Sequence, residues 1–185
     1  FFSMELIKES CVETYEEAIM AENRGADRIE LCSRLDLEGL TPPIDLIEKL
    51  VSVLTIPIKV MIRPRSGDFF YNIYDIFEMQ NSIDDIKGLG VFGVVFGVLN
   101  YDRTINIEAV NDLVSASIGL NITFHRALDE TINVLEEYKN LDQNTKINSV
   151  LTSGGGNTAM LGYKNIKQML KISKGRKKII IAGSV

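Results

Sequence analysis

The sequence predicts a parallel α/β fold of the TIM (β/α)8-barrel type that runs through seven strands and then breaks off. Short apolar runs alternate with amphipathic stretches along the chain, seven strand patterns against six helix patterns, at about 25 to 30 residues per unit. The run Gly93-Val94-Val95-Phe96-Gly97-Val98-Leu99 is apolar on both faces, as a buried parallel strand is. Polar and charged residues recur just where successive strands end, the rim on which a barrel presents its chemistry. A doubly wound sheet is the structural alternative, but no glycine-rich fingerprint follows the first strand. A closed barrel needs eight strands, and Val185 follows the seventh directly. The expectation is an incomplete or truncated barrel with an edge to cover, or a natural chain that continues.

The elements follow in order. Leu6 to Cys11 reads as the first strand, and Thr14 with Glu17 three residues on forms a capping box that opens a helix closed by Gly25. Arg28 to Cys32 is the second strand, and Thr41-Pro42-Pro43 opens a helix to about Leu54, with proline in its first turn. Ile58 to Arg63 is the third strand, stopped by Pro64. Ile73 to Leu89 carries Ile76, Phe77, Ile83 and Ile86 at helical spacing, with room for a break. After the Gly93–Leu99 strand come a helix over 107–117 and a fifth strand through Ile122 and Phe124 that ends at His125. Glu130 to Lys139 reads as helix, Asn148 to Ser153 as the sixth strand, Tyr163 to Ser173 as helix, and Lys178 to Ala182 as the seventh strand.

Composition narrows the function. The 185 residues fit one domain over 4–185; Phe1-Phe2-Ser3 ahead of Met4 reads as a cloning remnant. Net charge is −5, and the short basic cluster Lys174 to Lys178 reads as helix capping and solvation, so no nucleic-acid partner is expected. No apolar run approaches a membrane span, which takes roughly 18 residues. Two cysteines make no disulfide framework, and a reducing cytoplasm is the default compartment.

The strand ends gather Glu9 and Cys11, Glu30 and Cys32, Arg63 and Arg65, Asn100, His125 and Arg126, Ser153 with Gly154 to Gly156, and Gly183 with Ser184. His125 is the only histidine. Alone it reads as a core residue; followed by Arg126 at a strand end it points to a site, and Glu30, His125 and Arg126 are the candidate catalytic groups. Glu9 and Glu30 serve equally well as partners that pair with Arg63 and Arg126. Arg63-Pro64-Arg65 offers forked donors for an anion, or a salt-bridged strand end. Ser153 and the glycines offer backbone N–H groups for a phosphate, or simply a flexible turn. Cys11 and Cys32 sit on neighbouring strands and offer thiolates for a shared Cu(I), although buried cysteine commonly serves as a small hydrophobe. One histidine argues against a histidine-rich zinc centre.

Seven segments together resemble a known family. Glu9-Ser10-Cys11, Gly25 to Ser33, Gly39-Leu40-Thr41-Pro42, Met61 to Phe69, Val95-Phe96-Gly97, Thr123 to Ala127 and Leu151 to Gly155 are similar, in order, to the CutC family of copper homeostasis proteins. The resemblance implies a cytoplasmic TIM barrel, often dimeric (a homodimer or other homo-oligomer), assigned to copper handling. It makes Cys11 and Cys32 the candidate Cu(I) ligands and places Glu9, Glu30, Arg63, Arg65, His125, Arg126 and Asp129 around a polar mouth. Members of the family usually follow the seventh strand with a glycine-rich turn, a helix and an eighth strand, where this sequence reads Ala182-Gly183-Ser184-Val185. Two readings of the mouth emerge. One is a copper-binding protein; the other is an enzyme acting on a small anionic, phosphorylated or carboxylated, metabolite.

Overall fold

A computed structural model describes residues 6–183; Phe1 to Ser3 and the strand-end position Ser184 lie outside the described residues. The strands are β1 (Glu9–Val12), β2 (Arg28–Leu31), β3 (Ile58–Met61), β4 (Gly93–Phe96), β5 (Asn121–Phe124), β6 (Ser149–Thr152) and β7 (Lys178–Ile181). The helices are α1 (Tyr15–Asn23), α2 (Ile44–Val53), α3 (Ile73–Ile86), α4 (Ile107–Ala116), α5 (Val134–Asn144) and α6 (Tyr163–Ser173). All seven strands are parallel and lie in one sheet in sequence order, the arrangement that repeated right-handed crossovers produce. The sheet curls until β1 and β7 line the same cavity. Among the described residues these two strands are its edges.

Strand parity then decides which chemistry faces where. Side chains alternate at period two, so Ile29, Leu31, Val60, Ile62, Val94, Phe96, Ile122 and Phe124 meet the helices in the main core. The intervening residues point into the barrel, where Cys32, Met61 and Val95 form a small second cluster. Glu30, Lys59, Arg63, Thr123 and His125 share that inward parity and are all buried. Strands β2, β3 and β4 are buried throughout, whereas β1 and β7 are partly exposed.

Most boundaries match the sequence reading, and the departures have local causes. The Thr14–Glu17 capping box is present, and Gly25 turns the chain at φ +83. Pro43 stands at the N-cap of α2 rather than in its first turn. Helix α3 runs unbroken for 14 residues, opened by an Asn72–Asp75 capping box. The largest departure follows β5. Arg126–Glu130 is a 3-10 turn, and α5 starts only at Val134, capped by Asn133. Asp129 is drawn inward to the loop after β6, which holds the segment in the mouth before a regular helix can begin. In the basic cluster after α6, Lys174 takes the left-handed capping conformation. Lys177 departs from the solvated reading: it is buried, donating to the carbonyls of Thr145 and Ile147.

Candidate functional site

The C-terminal ends of the strands surround a cavity of about 600 Å3, within the roughly 300–1,000 Å3 usual for small-molecule sites. Its floor is a buried ion network. Glu9 on β1 pairs with Arg28 on β2, and Lys59 Nζ on β3 lies 3.6 Å from Glu9 Oε2. Lys59 is fully buried and donates to Thr123 Oγ1 at 2.6 Å. Burial pushes its ammonium below the ordinary range, and the Glu9 charge partly restores it. Glu9 is thereby committed to holding the floor together.

Above that floor, on β1 and β2, sits a thiol cluster. Cys11 Sγ and Cys32 Sγ are 3.8 Å apart, and Cys32 Sγ lies 3.8 Å from Glu30 Oε1. One ligand atom from each of the three residues falls within 4.8 Å of the others. The register explains the approach: Cys11 pairs with Glu30 across the ladder, and Cys32, just past the end of β2, is the next residue of inward parity after Glu30. Cys11 is exposed to the mouth and Cys32 is buried, and both are free thiols. The Cys11 hydrogen bond, burial and the Glu30 charge all push the Cys32 thiol far above its ordinary range. Burial and the nearby Glu9 charge raise the Glu30 carboxyl to about 7, and Glu30 Oε2 is buried without a hydrogen-bond partner.

The other wall comes from β3 and β5. His125 is 3% exposed, held between Phe69, whose ring centroid is 4.9 Å away, and the backbone of Gly97. The Ala127 N–H donates to His125 Nδ1 at 3.2 Å, so the neutral ring carries its proton on Nε2. Burial and the Arg63 charge push its pKa down to about 3, and Nε2 is buried with no partner. Arg63 is 2% exposed and gives Nη1 to the Leu37 and Gly39 carbonyls and Nη2 to the Gly67 carbonyl. Its guanidinium lies 4.8 Å from the Phe69 ring centroid, and only Nε lacks an acceptor.

Gly97 has a packing role that the His125 position imposes. A Cβ there would stand 2.6 Å from His125 Nδ1 and 3.1 Å from Ala127 Cβ. Gly97→Ala is expected to lower stability by about 1–3 kcal/mol through overpacking and to shift the His125 ring signals. Unchanged urea unfolding together with an unchanged imidazole spectrum would contradict this role.

The third part of the mouth is the loop after β6. Asp129 accepts from Ser153 N at 2.9 Å, Gly155 N at 3.0 Å and Ser153 Oγ at 3.0 Å. Thr152 Oγ1 and Arg126 Nε donate to the same carboxylate. The anion held by this glycine-rich loop is therefore the protein's own carboxylate, and the sequence had offered those N–H groups to a phosphate. Gly154 N donates to Thr152 Oγ1 instead. Arg126 is 46% exposed at the rim and also reaches Ser153 Oγ at 3.3 Å.

The structure brings Glu9, Cys11, Glu30, Arg63, His125, Arg126 and Asp129 to one cavity, with Cys32 against Cys11. Arg65 is engaged in its own loop, bound to Asp68, Asp75 and the Phe70 carbonyl, the salt-bridged strand end of the sequence reading. Asn100 bonds locally to Thr104. The sequence reading missed Lys59, Thr123 and Phe69. A lysine inside a four-residue strand that is otherwise apolar was the signal available for Lys59. Among the described residues, no helix is long and apolar enough to cross a membrane.

A family model described as the CutC family matches residues 6–185. A family protein CutC of Histophilus somni (strain 2336) is 42% identical over 179 residues, covering 96% of this chain and 72% of that protein. One from Yersinia pseudotuberculosis serotype I is 38% identical over 176 residues, covering 95% of this chain and 69% of that protein. A crystal structure given as copper homeostasis protein CutC from Streptococcus agalactiae superposes with a TM-score of 0.91 at 28% identity, covering 98% of this chain and 89% of that one. Sialic acid aldolase of Ruminococcus gnavus superposes with a TM-score of 0.64 at 10% identity, covering 94% of this chain and 60% of that one, a likeness of fold alone.

Proposed function

Since the chain belongs to the CutC family, we propose that it is a copper homeostasis protein that binds Cu(I) through Cys11 and Cys32 and takes part in copper handling in the cytoplasm. The observation that carries this reading is the 3.8 Å spacing of the two sulfurs, with Glu30 beside them. Two thiolates about 2.3 Å from one ion at a near-tetrahedral angle stand roughly 3.8 Å apart. Soft thiolates suit Cu(I), and one exposed and one buried sulfur give the ion a way in from the mouth.

Binding must release protons, because the thiolate is the ligand. The influences that hold the Cys32 thiol up are a hydrogen bond from its neighbour, burial and a nearby negative charge. An arriving cation offsets each of them. The test is an anaerobic Cu(I) titration against a competing chelator at pH 6 and pH 8, with the Cys11→Ser, Cys32→Ser double variant alongside. Stoichiometric binding is expected, tighter at pH 8 and lost in the variant. No binding, or binding indifferent to both cysteines, would sink the reading.

A second reading, an enzyme acting on a small anionic metabolite, is favoured by the opposite wall. Neutral His125 and the Glu30 carboxyl, raised to about 7, line the same cavity, and each keeps a buried polar atom without a hydrogen-bond partner. Environments that push two titratable groups apart mark acid–base chemistry.

A further inference from the structure

Two thiolates suffice for a soft Cu(I) ion, yet a carboxyl that no ion pair employs shares their cluster. Glu30 is 5% exposed, and among the described residues no cation lies within salt-bridge distance of it. The neighbouring cations are engaged elsewhere. Arg28 and Lys59 face Glu9, and Arg63 is held by the carbonyls of Leu37, Gly39 and Gly67. Glu30 Oε2 has no hydrogen-bond partner, and Oε1 has only the Cys32 sulfur at 3.8 Å. Buried carboxylates are tolerated where they are paired or where they coordinate a metal, and pairing does not account for this one.

The geometry of the three groups matches a tetrahedral ion. The two sulfurs are 3.8 Å apart, the separation of thiolates at a tetrahedral angle. With zinc–sulfur bonds of about 2.3 Å and zinc–oxygen bonds of about 2.1 Å, a sulfur and an oxygen on one ion stand roughly 3.6 Å apart. Cys32 Sγ and Glu30 Oε1 are 3.8 Å apart, and the remaining edge, from Cys11 to the carboxylate, is no longer than 4.8 Å. Cys11 is exposed and free to turn toward an ion. Charge points the same way. Two thiolates and a carboxylate carry three negative charges, so Cu(I) would leave two uncompensated in a buried cluster, whereas a divalent ion leaves one. Mg(II) and Ca(II) avoid thiolates and Cu(I) avoids carboxylates, while borderline Zn(II) takes both.

We propose that Cys11, Cys32 and Glu30 form a three-ligand site for Zn(II), which the reduced protein fills when Cu(I) is absent. Cys11 and Glu30 line the cavity, so the fourth tetrahedral position is open to a water from it, the pattern of three protein ligands and one exchangeable ligand. The inference rests on the copper reading for its two sulfur ligands and adds Glu30 as the group that decides which ion is held. Zn(II) takes the carboxylate; Cu(I) stays on the sulfurs alone.

The reduced, metal-free protein is titrated anaerobically with Zn(II) and, separately, with Cu(I), each against a competing chelator. Co(II) serves as a coloured stand-in for Zn(II). Wild type, Glu30→Gln and the Cys11→Ser, Cys32→Ser double variant are compared, since glutamine keeps the shape of the side chain and removes its charge. One Zn(II) per chain is expected, and Co(II) is expected to give a thiolate-to-cobalt charge-transfer band with the intense visible bands of a four-coordinate ion. Glu30→Gln is expected to weaken Zn(II) at least about tenfold and Cu(I) far less; the double variant loses both ions. Equal Zn(II) affinity in wild type and Glu30→Gln would overturn the carboxylate as a ligand. Equal losses for the two ions would also overturn it, because Glu30 would then act by supporting the thiols. Weak bands of six-coordinate cobalt would overturn the tetrahedral site. Cu(I) binding without Zn(II) binding would overturn the inference and leave the copper reading standing, and binding of neither ion would overturn both.

Discussion

Glu30→Gln is expected to stabilise the metal-free protein by about 3 kcal/mol at pH 8 and by little at pH 5. The buried carboxyl holds its proton up to about 7, against an ordinary value of 4.5. Between those two values the unfolded chain has released the proton and the folded chain has not. Folded stability therefore falls as pH rises through this window, by about 1.4 kcal/mol per unit. Below pH 4.5 both states are protonated, and the cost vanishes. Glutamine removes the titration and keeps an oxygen to accept from Cys32 Sγ. Urea unfolding of both proteins at the two pH values under reducing conditions makes the test. A difference of the same size at pH 5 and pH 8 would show that packing, and not the buried charge, sets the effect. A folded protein that tolerates such a carboxylate at neutral pH keeps it beside the thiols at a cost to stability, as functional sites commonly do.

Asp129→Ala is expected to cost about 3 kcal/mol or more, because it strands several donors at once. The loop after β6 reaches the carboxylate only because Gly154 and Gly155 take φ of +75 and +76, a region that favours glycine. It is further pinned by Gly162, where a Cβ would stand 1.7 Å from the Ser153 carbonyl oxygen. With alanine at 129, Ser153 N, Gly155 N and Thr152 Oγ1 lose a common acceptor whose side chain is only 8% exposed. Arg126 loses its anchor in the same step. Urea unfolding is expected to show a lowered midpoint, with Cu(I) binding retained, since Asp129 is not part of the thiol cluster. A loss of less than about 0.5 kcal/mol, the range of an ordinary surface change, would mean that the carboxylate does not organise the loop.

Much of the fold was legible along the chain. Period-two alternation in Arg28–Leu31 and Ile58–Met61, a capping box at Thr14, and glycine at position 25 are local signals, and local signals survive folding. The same parity carries Glu30, Arg63 and His125 to the inner side of strand ends, so the charged groups of the mouth were legible in the sequence, while Lys59, Thr123 and Phe69 were not. The start of α5 was not legible, because Asp129 answers to a loop more than 20 residues downstream.

The sequence by itself determined the order of the elements, the inward face of each strand and the set of polar groups at the rim, since these depend on near neighbours and on the alternation of the backbone. Only the tertiary structure decided how those groups are spent. Sulfurs 21 residues apart come within 3.8 Å, Lys59 is buried against Thr123 64 residues away, and the glycine loop closes on Asp129 instead of a ligand. Which polar groups are satisfied within the fold and which are left without a partner depends on strand register and on contacts between distant loops.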